Sequence, residues 1–176
     1  TPRNDVAAYA RAVEGRVAAL SRAHTLLAKG RWSGAELRTV AQEALAPFQP
    51  VGGAGPVVTL EGPSLPLAPA AVQALSMALH ELATNAGRHG ALSVPDGRVA
   101  VSWRLGEDGL AIDWRETGGP PVAPPQRRGF GRVLIESSLG YELDGTSALA
   151  FRPEGVACAV TIPRRASVAA TRPCPP

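Results

Sequence analysis

The chain has 176 residues, 45% of them hydrophobic and 19% charged, enough for one domain of ordinary size plus a helical appendage. Its formal charge of +3 rests on Arg164, Arg165 and Arg172, without which basic and acidic residues balance at 15 each; a neutral body with a short basic tail argues against a nucleic-acid-binding surface. No apolar run reaches bilayer length, no signal pattern opens the chain, and Cys158 and Cys174 are not expected to pair, which suits a reducing, cytoplasmic setting.

Asp5 to Lys29 reads as a helix. Val6, Ala10, Val13, Val17, Leu20, His24 and Leu27 alternate spacings of four and three, a heptad seam expected to face another helix. Ser33 reads as the N-cap of a helix running to about Phe48, with Glu36 completing a capping box. A loop marked by Pro47, Pro50, Gly52, Gly53 and Gly55 leads to a strand over Val57–Glu61 and a long helix from about Pro69 to His89. Strands at about Gly97–Leu105 and Gly109–Glu116 form a hairpin around Gly106 to Gly109. A proline-rich loop precedes a helix near Gly131–Leu139, and strands are expected near Tyr141–Leu143, Leu149–Pro153 and Ala157–Ile162. Arg164–Pro176 reads as a disordered tail. These elements suit an α/β two-layer sandwich, one mixed sheet covered by helices and preceded by a helical segment.

Three segments carry chemistry. In the long helix, Val72, Leu75, Leu79, Leu82 and Ala86 form a core stripe at helical spacing. Glu81, Asn85 and Arg88 form a second, polar stripe, within the segment from His80 to His89 and Gly90. Such a stripe fits a solvated helix face, and it also fits a magnesium ion held on phosphate, because magnesium takes oxygen ligands and shares substrate phosphates while Arg supplies charge and donors. In the second segment Leu110, Ile112, Trp114 and Glu116 share a strand face that ends at Gly118 and Gly119. A carboxylate there can accept a hydrogen bond from an exocyclic amine, and glycines let a flat ring approach; an exposed Glu before an ordinary turn fits as well. In the third, Gly129-Phe130-Gly131 precedes a helix N-terminus, which favours an anion or simply marks a turn.

Taken in this order the segments resemble the N, G1 and G2 boxes of the ATP-binding domain of histidine kinases, and more narrowly the HWE group of bacterial sensor histidine kinases. His80, Trp114 and Glu116, within HELATNAGRHGALS and WRETGGPPV, match the group's signature residues, and GRVAALSRAHTLLAKGRWSGAELRTV resembles the stretch leading into that domain. The resemblance covers about residues 5–163. It implies a second dimerisation helix, in part, over residues 1–30, an ATP-binding catalytic domain over 31–163, and a tail over 164–176.

The resemblance also implies roles. Asn85 would hold the magnesium of Mg-ATP, and Glu81 would help activate an acceptor imidazole. Arg88 and His89 would contact phosphate or ribose. Glu116 would bond adenine with Gly118 and Gly119 against the ring, and Gly129 and Gly131 would let a short lid (Pro120–Arg128) close, which predicts modest affinity. His80 points toward Thr84 on the same helix, which favours a structural hydrogen bond. No His-Arg-x-Lys-Asn sequence occurs, so the phosphoacceptor is expected upstream with a sensor domain; His24, on the apolar seam, is read as a packed residue. Implied partners are ATP, the upstream acceptor helix, a response regulator and a second copy of the intact protein. A serine kinase of anti-sigma type on the same fold and a non-catalytic nucleotide-binding module are the rival readings.

Overall fold

A computed structural model describes residues 2–49, 55–122 and 130–169. Its architecture is set by α3 (Pro69–His89). Pro69 opens this helix where a missing N–H costs nothing, an Ala- and Leu-rich interior sustains it, and Gly90 follows it. The predicted core stripe Val72, Leu75, Leu79, Leu82 and Ala86 is 0 to 3% exposed. Ala71, Ala74, Ala78 and Ala83 are buried as well, because α3 is flanked by three further helices: α1 (Pro2–Lys29), α2 (Leu37–Leu45) and α4 (Phe130–Leu143).

Beneath α3 lies a five-stranded sheet of β2 (Val57–Glu61), β4 (Arg98–Leu105), β5 (Gly109–Thr117), β6 (Thr146–Arg152) and β7 (Gly155–Pro163), in the order β2-β4-β5-β7-β6. The β2–β4 pair is parallel and the other three are antiparallel. The sheet is therefore mixed, as expected. Leu110, Ile112, Trp114 and Glu116 alternate inward along β5, each 0 to 3% exposed. They share one core with Val99, Val101, Val160, Ile162 and the α3 stripe, so the architecture is the expected two-layer sandwich.

Three local expectations do not hold. Ser33 does not cap α2; its hydroxyl donates to the Gly30 carbonyl. Ala35–Glu36 instead forms β1, which pairs with β3 (Pro66–Leu67), and the Glu36 carboxylate accepts from the Leu65 amide at 2.8 Å. Nor is Tyr141–Leu143 a strand. Ile135, Leu139 and Leu143 keep a spacing of four and are 0 to 2% exposed, so helix α4 runs on to Leu143 and leaves Tyr141 93% exposed. Arg164–Ser167 is a helical turn, α5, with Ser167 buried, not the start of a disordered tail; residues 170–176 lie outside the described residues. Much of the α1 seam faces away from this domain, where it is open to the further helix that its spacing calls for. Val13, Val17 and Leu20 are 38 to 62% exposed and His24 is exposed edge-on to Trp32, while Ala19, Ala23 and Leu27 are buried. Ala19 and Ala23 let the two helices approach closely there, and Leu27 of the seam is buried at the helix end.

The edge strand β2 is guarded from α2. Arg38 donates to the carbonyls of Leu60 and Gly62 at 2.8 and 3.0 Å and stacks on Trp103 with its guanidinium 5.1 Å from the ring centre. Covering an edge in this way removes a template for strand addition. Replacing Arg38 by Met keeps length but forfeits the charged donors, so urea denaturation of R38M is expected to show a loss of about 1.5–3 kcal/mol with an unchanged slope.

Candidate active site

The C-terminal half of α3 is where polar chemistry meets the core. Asn85, Arg88 and His89 are exposed there. Asn85 and Arg88, three residues apart, are neighbours on the helix surface. Glu81, one turn before Asn85, is not exposed with them: it is 6% exposed and lies beneath α1. Arg16 of α1 donates from Nε to Oε1 at 2.7 Å and from a terminal nitrogen to Oε2 at 3.2 Å. His80 is buried too. Its Nε2 lies 3.5 Å from the Thr84 hydroxyl, the expected partner but at the outer limit of a hydrogen bond, and its Nδ1 has no partner among the described residues. Burial pushes the His80 pKa below the usual imidazole range; Glu81 opposes the shift and Arg22, Arg16 and Arg88 add to it. At neutral pH this imidazole is uncharged.

The second segment joins the first through one carboxylate. Glu116, at the end of β5, is 3% exposed. Its Oε2 accepts the Ala91 amide at 3.0 Å and its Oε1 accepts the Trp114 indole N–H at 3.1 Å. Ala91 opens a 3-10 turn (Ala91–Ser93) directly after α3, so this bond pins the end of the strand to the end of the helix. A carboxylate has about four acceptor sites, and two are used here. Burial pushes the Glu116 pKa up, against the Ala91 and Trp114 hydrogen bonds that lower it.

Gly118 and Gly119 lie against the chain's own backbone at this junction. Gly118 has φ +70°, and a Cβ on it would lie 2.7 Å from the Asp96 carbonyl oxygen; a Cβ on Gly119 would lie 2.8 Å from the Ala91 nitrogen. The space beside both is filled by the chain's own backbone. Of the third segment, Gly131 is the second residue of α4, whereas Gly129 and residues 123–128 lie outside the described residues. Cys158, buried under the sheet, has its thiol pushed up to about 12 by burial, which makes it an inert core residue.

Sequence reasoning missed Arg16 and Ala91. Arg16 stands on α1 beside the stripe of Ala12, Gly15, Ala19 and Ala23; that run of small residues was a signal for close helix packing. Ala91 acts through its backbone, which leaves no mark in composition.

Among known proteins, the family model described as HWE histidine kinase matches residues 1–64. The blue-light-activated histidine kinase of Rhizobium johnstonii is 37% identical over 162 residues, covering 91% of this chain and 46% of that protein. The protein of the same name from Brucella anthropi is 40% identical over 157 residues, covering 87% of this chain and 32% of that one. These matches support an HWE-family sensor histidine kinase. The chain spans less than half the length of these curated relatives. The histidine kinase domain of a blue-light-activated kinase from Erythrobacter litoralis has the same fold, with a TM-score of 0.69 at 16% identity over 90% of this chain and 82% of that one. Among the described residues, no helix is long and apolar enough to cross a membrane.

The Glu116 junction has a pH signature. A carboxyl whose folded pKa is raised destabilises the fold while ionised, and that cost disappears as pH falls through the folded pKa. Trp114→Phe keeps the ring but removes the donor, raising the pKa further. Thermal or urea unfolding of W114F is expected to show a loss of about 1–3 kcal/mol near neutral pH, shrinking as pH falls through the raised folded pKa and smallest below the ordinary glutamate range, where the carboxyl is protonated in folded and unfolded chains alike.

Proposed function

We propose that this chain is the ATP-binding, phosphoryl-donating part of a sensor histidine kinase, acting on a histidine that lies upstream of it. One observation carries the reading: the Glu116–Ala91 hydrogen bond at 3.0 Å brings the exposed Asn85–Arg88–His89 surface of α3 and the acid at the end of β5 to one junction. Relatives that bear the name histidine kinase across 87 to 91% of this chain support it.

The donor set fits magnesium held by nucleotide phosphates: an exposed neutral amide oxygen, Asn85, beside a guanidinium, with no demand for a full protein cage. Bound magnesium would neutralise charge on the phosphates during transfer. Arg88 would pair with phosphate oxygens and His89 with phosphate or ribose. Glu116 would use a remaining acceptor site for the amine of adenine, with Gly118 and Gly119 against the ring. Gly129 and Gly131 would let the short lid fold over the phosphates. In the transfer itself, a neutral acceptor imidazole forms the N–P bond as the bond from γ-phosphorus to the β–γ bridging oxygen breaks. ADP leaves, and the imidazole proton passes to the Glu81 carboxylate. His80 is uncharged, turned into the α1–α3 interface, and acts as a positioning residue for that turn. The full protein would add a sensor domain and an acceptor helix, pair as a homodimer, hand its phosphoryl group to a response regulator, and work in the cytoplasm.

Incubation of the chain with γ-labelled Mg-ATP and a fragment carrying the acceptor helix is expected to place acid-labile label on histidine, and Asn85→Ala is expected to abolish both this transfer and the magnesium dependence of ATP binding by calorimetry. Label on serine would favour the anti-sigma-type kinase, and no label on either would favour a binding module. The adenine contact has its own test. GTP presents an acceptor where ATP presents a donor, so GTP is expected to compete about tenfold to a hundredfold more weakly than ATP, and Glu116→Gln to narrow that gap. Equal competition by GTP would remove Glu116 from the base.

A further inference from the structure

Helix α1 covers Glu81. The Arg16 fork engages both carboxylate oxygens at once, at 2.7 and 3.2 Å, and the two side chains are only 17% and 8% exposed. A bidentate pair of this kind fixes orientation as well as charge. A carboxylate that is to take a proton from an incoming imidazole needs an oxygen within hydrogen-bond reach of it. Here both oxygens turn toward α1. One residue away α1 sits directly on the His80 side chain, and a Cβ on Gly15 would lie 3.1 Å from its Nε2. An imidazole has no approach to Glu81 while α1 is docked.

We propose that Arg16 is a latch: docked α1 withholds Glu81 from the acceptor histidine, and phosphoryl transfer requires α1 to lift or rotate so that the Arg16–Glu81 pair opens. The inference rests on the reading of Glu81 as proton acceptor given above. It is carried by the choice of interaction. Apolar side chains of similar volume would hold two helices together at least as well as a buried ion pair, and the small stripe of Ala19 and Ala23 already does so a turn or two away. What an ion pair adds is the ability to open, because each parted group regains water. The rest of α1 suits movement. Its far face offers Val13, Val17 and Leu20 to a neighbour, 38 to 62% exposed, so motion imposed there reaches Arg16 directly. The helix joins the domain through Arg31 and Trp32, two successive non-glycine residues at φ +50° and +59°, a conformation held only while the surrounding contacts hold it.

The test is autophosphorylation of the intact, acceptor-bearing protein, with Mg-ATP affinity measured in parallel. Arg16→Gln is expected to raise kcat roughly tenfold, the order of change when a state populated at a few per cent becomes the major one, and to leave Mg-ATP affinity unchanged. Arg16→Lys, which keeps a charge without the fork, is expected to fall between. Gly15→Val, which wedges α1 from α3 and leaves both partners intact, is expected to raise kcat as well, and it decides the matter should Arg16→Gln fail to fold. In a Glu81→Gln background neither change is expected to accelerate transfer. A folded Arg16→Gln or Gly15→Val protein at or below the parent rate would overturn the latch, as would an equal rise with and without Glu81. Separately, a Glu81→Gln protein that retains the parent kcat would remove Glu81 as proton acceptor and leave the Asn85 and Glu116 assignments standing.

Discussion

The structure depends on the burial of a single helix. Helix α3 must cover the inner face of a five-stranded sheet, meet three other helices, and still leave its final turn in water. Its composition answers each demand in turn. Large apolar residues at Val72, Leu75, Leu79 and Leu82 fill the layer toward the sheet, alanines let the neighbouring helices come close, and only Asn85, Arg88 and His89 reach solvent at the end. A helix apolar over most of its circumference belongs in a core. One that is so, yet ends in an amide, a guanidinium and an imidazole, presents those groups on a rigid base.

That base is completed by a buried acid. Glu116 occupies the place where the alternation of β5 calls for another apolar residue, and burial of its charge is costly unless donors surround it. The Ala91 amide and the Trp114 indole are those donors, and satisfying them locks the strand end to the helix end. Close approach of backbones follows, which is why Gly118 and Gly119 tolerate no side chain there. The same junction that raises the Glu116 pKa brings two sequence segments to one surface. Stability near the site and the geometry of the site are one physical problem.

Helix α1 has two different faces. Small residues and Arg16 turn inward to α3, and Val13, Val17 and Leu20 of the heptad seam turn outward. In a core formed by this chain alone the larger residues would be the ones buried. Their exposure, together with a charged pair on the inner side, marks α1 as an element with obligations on both sides, held to the domain by contacts that can be exchanged.

The sequence by itself determined the long helix from Pro69 to His89 to the residue, the strand over Val57–Glu61, the inward alternation of Leu110 to Glu116 and the mixed two-layer architecture, because periodicity of 3.6 or 2 is a local property that core burial amplifies. It also brought out Asn85, Arg88 and Glu116 as the residues worth placing. Tertiary structure alone decided the rest. Whether α1 packs by its seam or its small face depends on what lies opposite, and whether Glu81 shares a surface with Asn85 depends on Arg16, sixty-five positions away in sequence. Periodicity tells which residues share a face of a helix, but not what covers that face, and for a carboxylate the covering group decides between a free base and a closed ion pair.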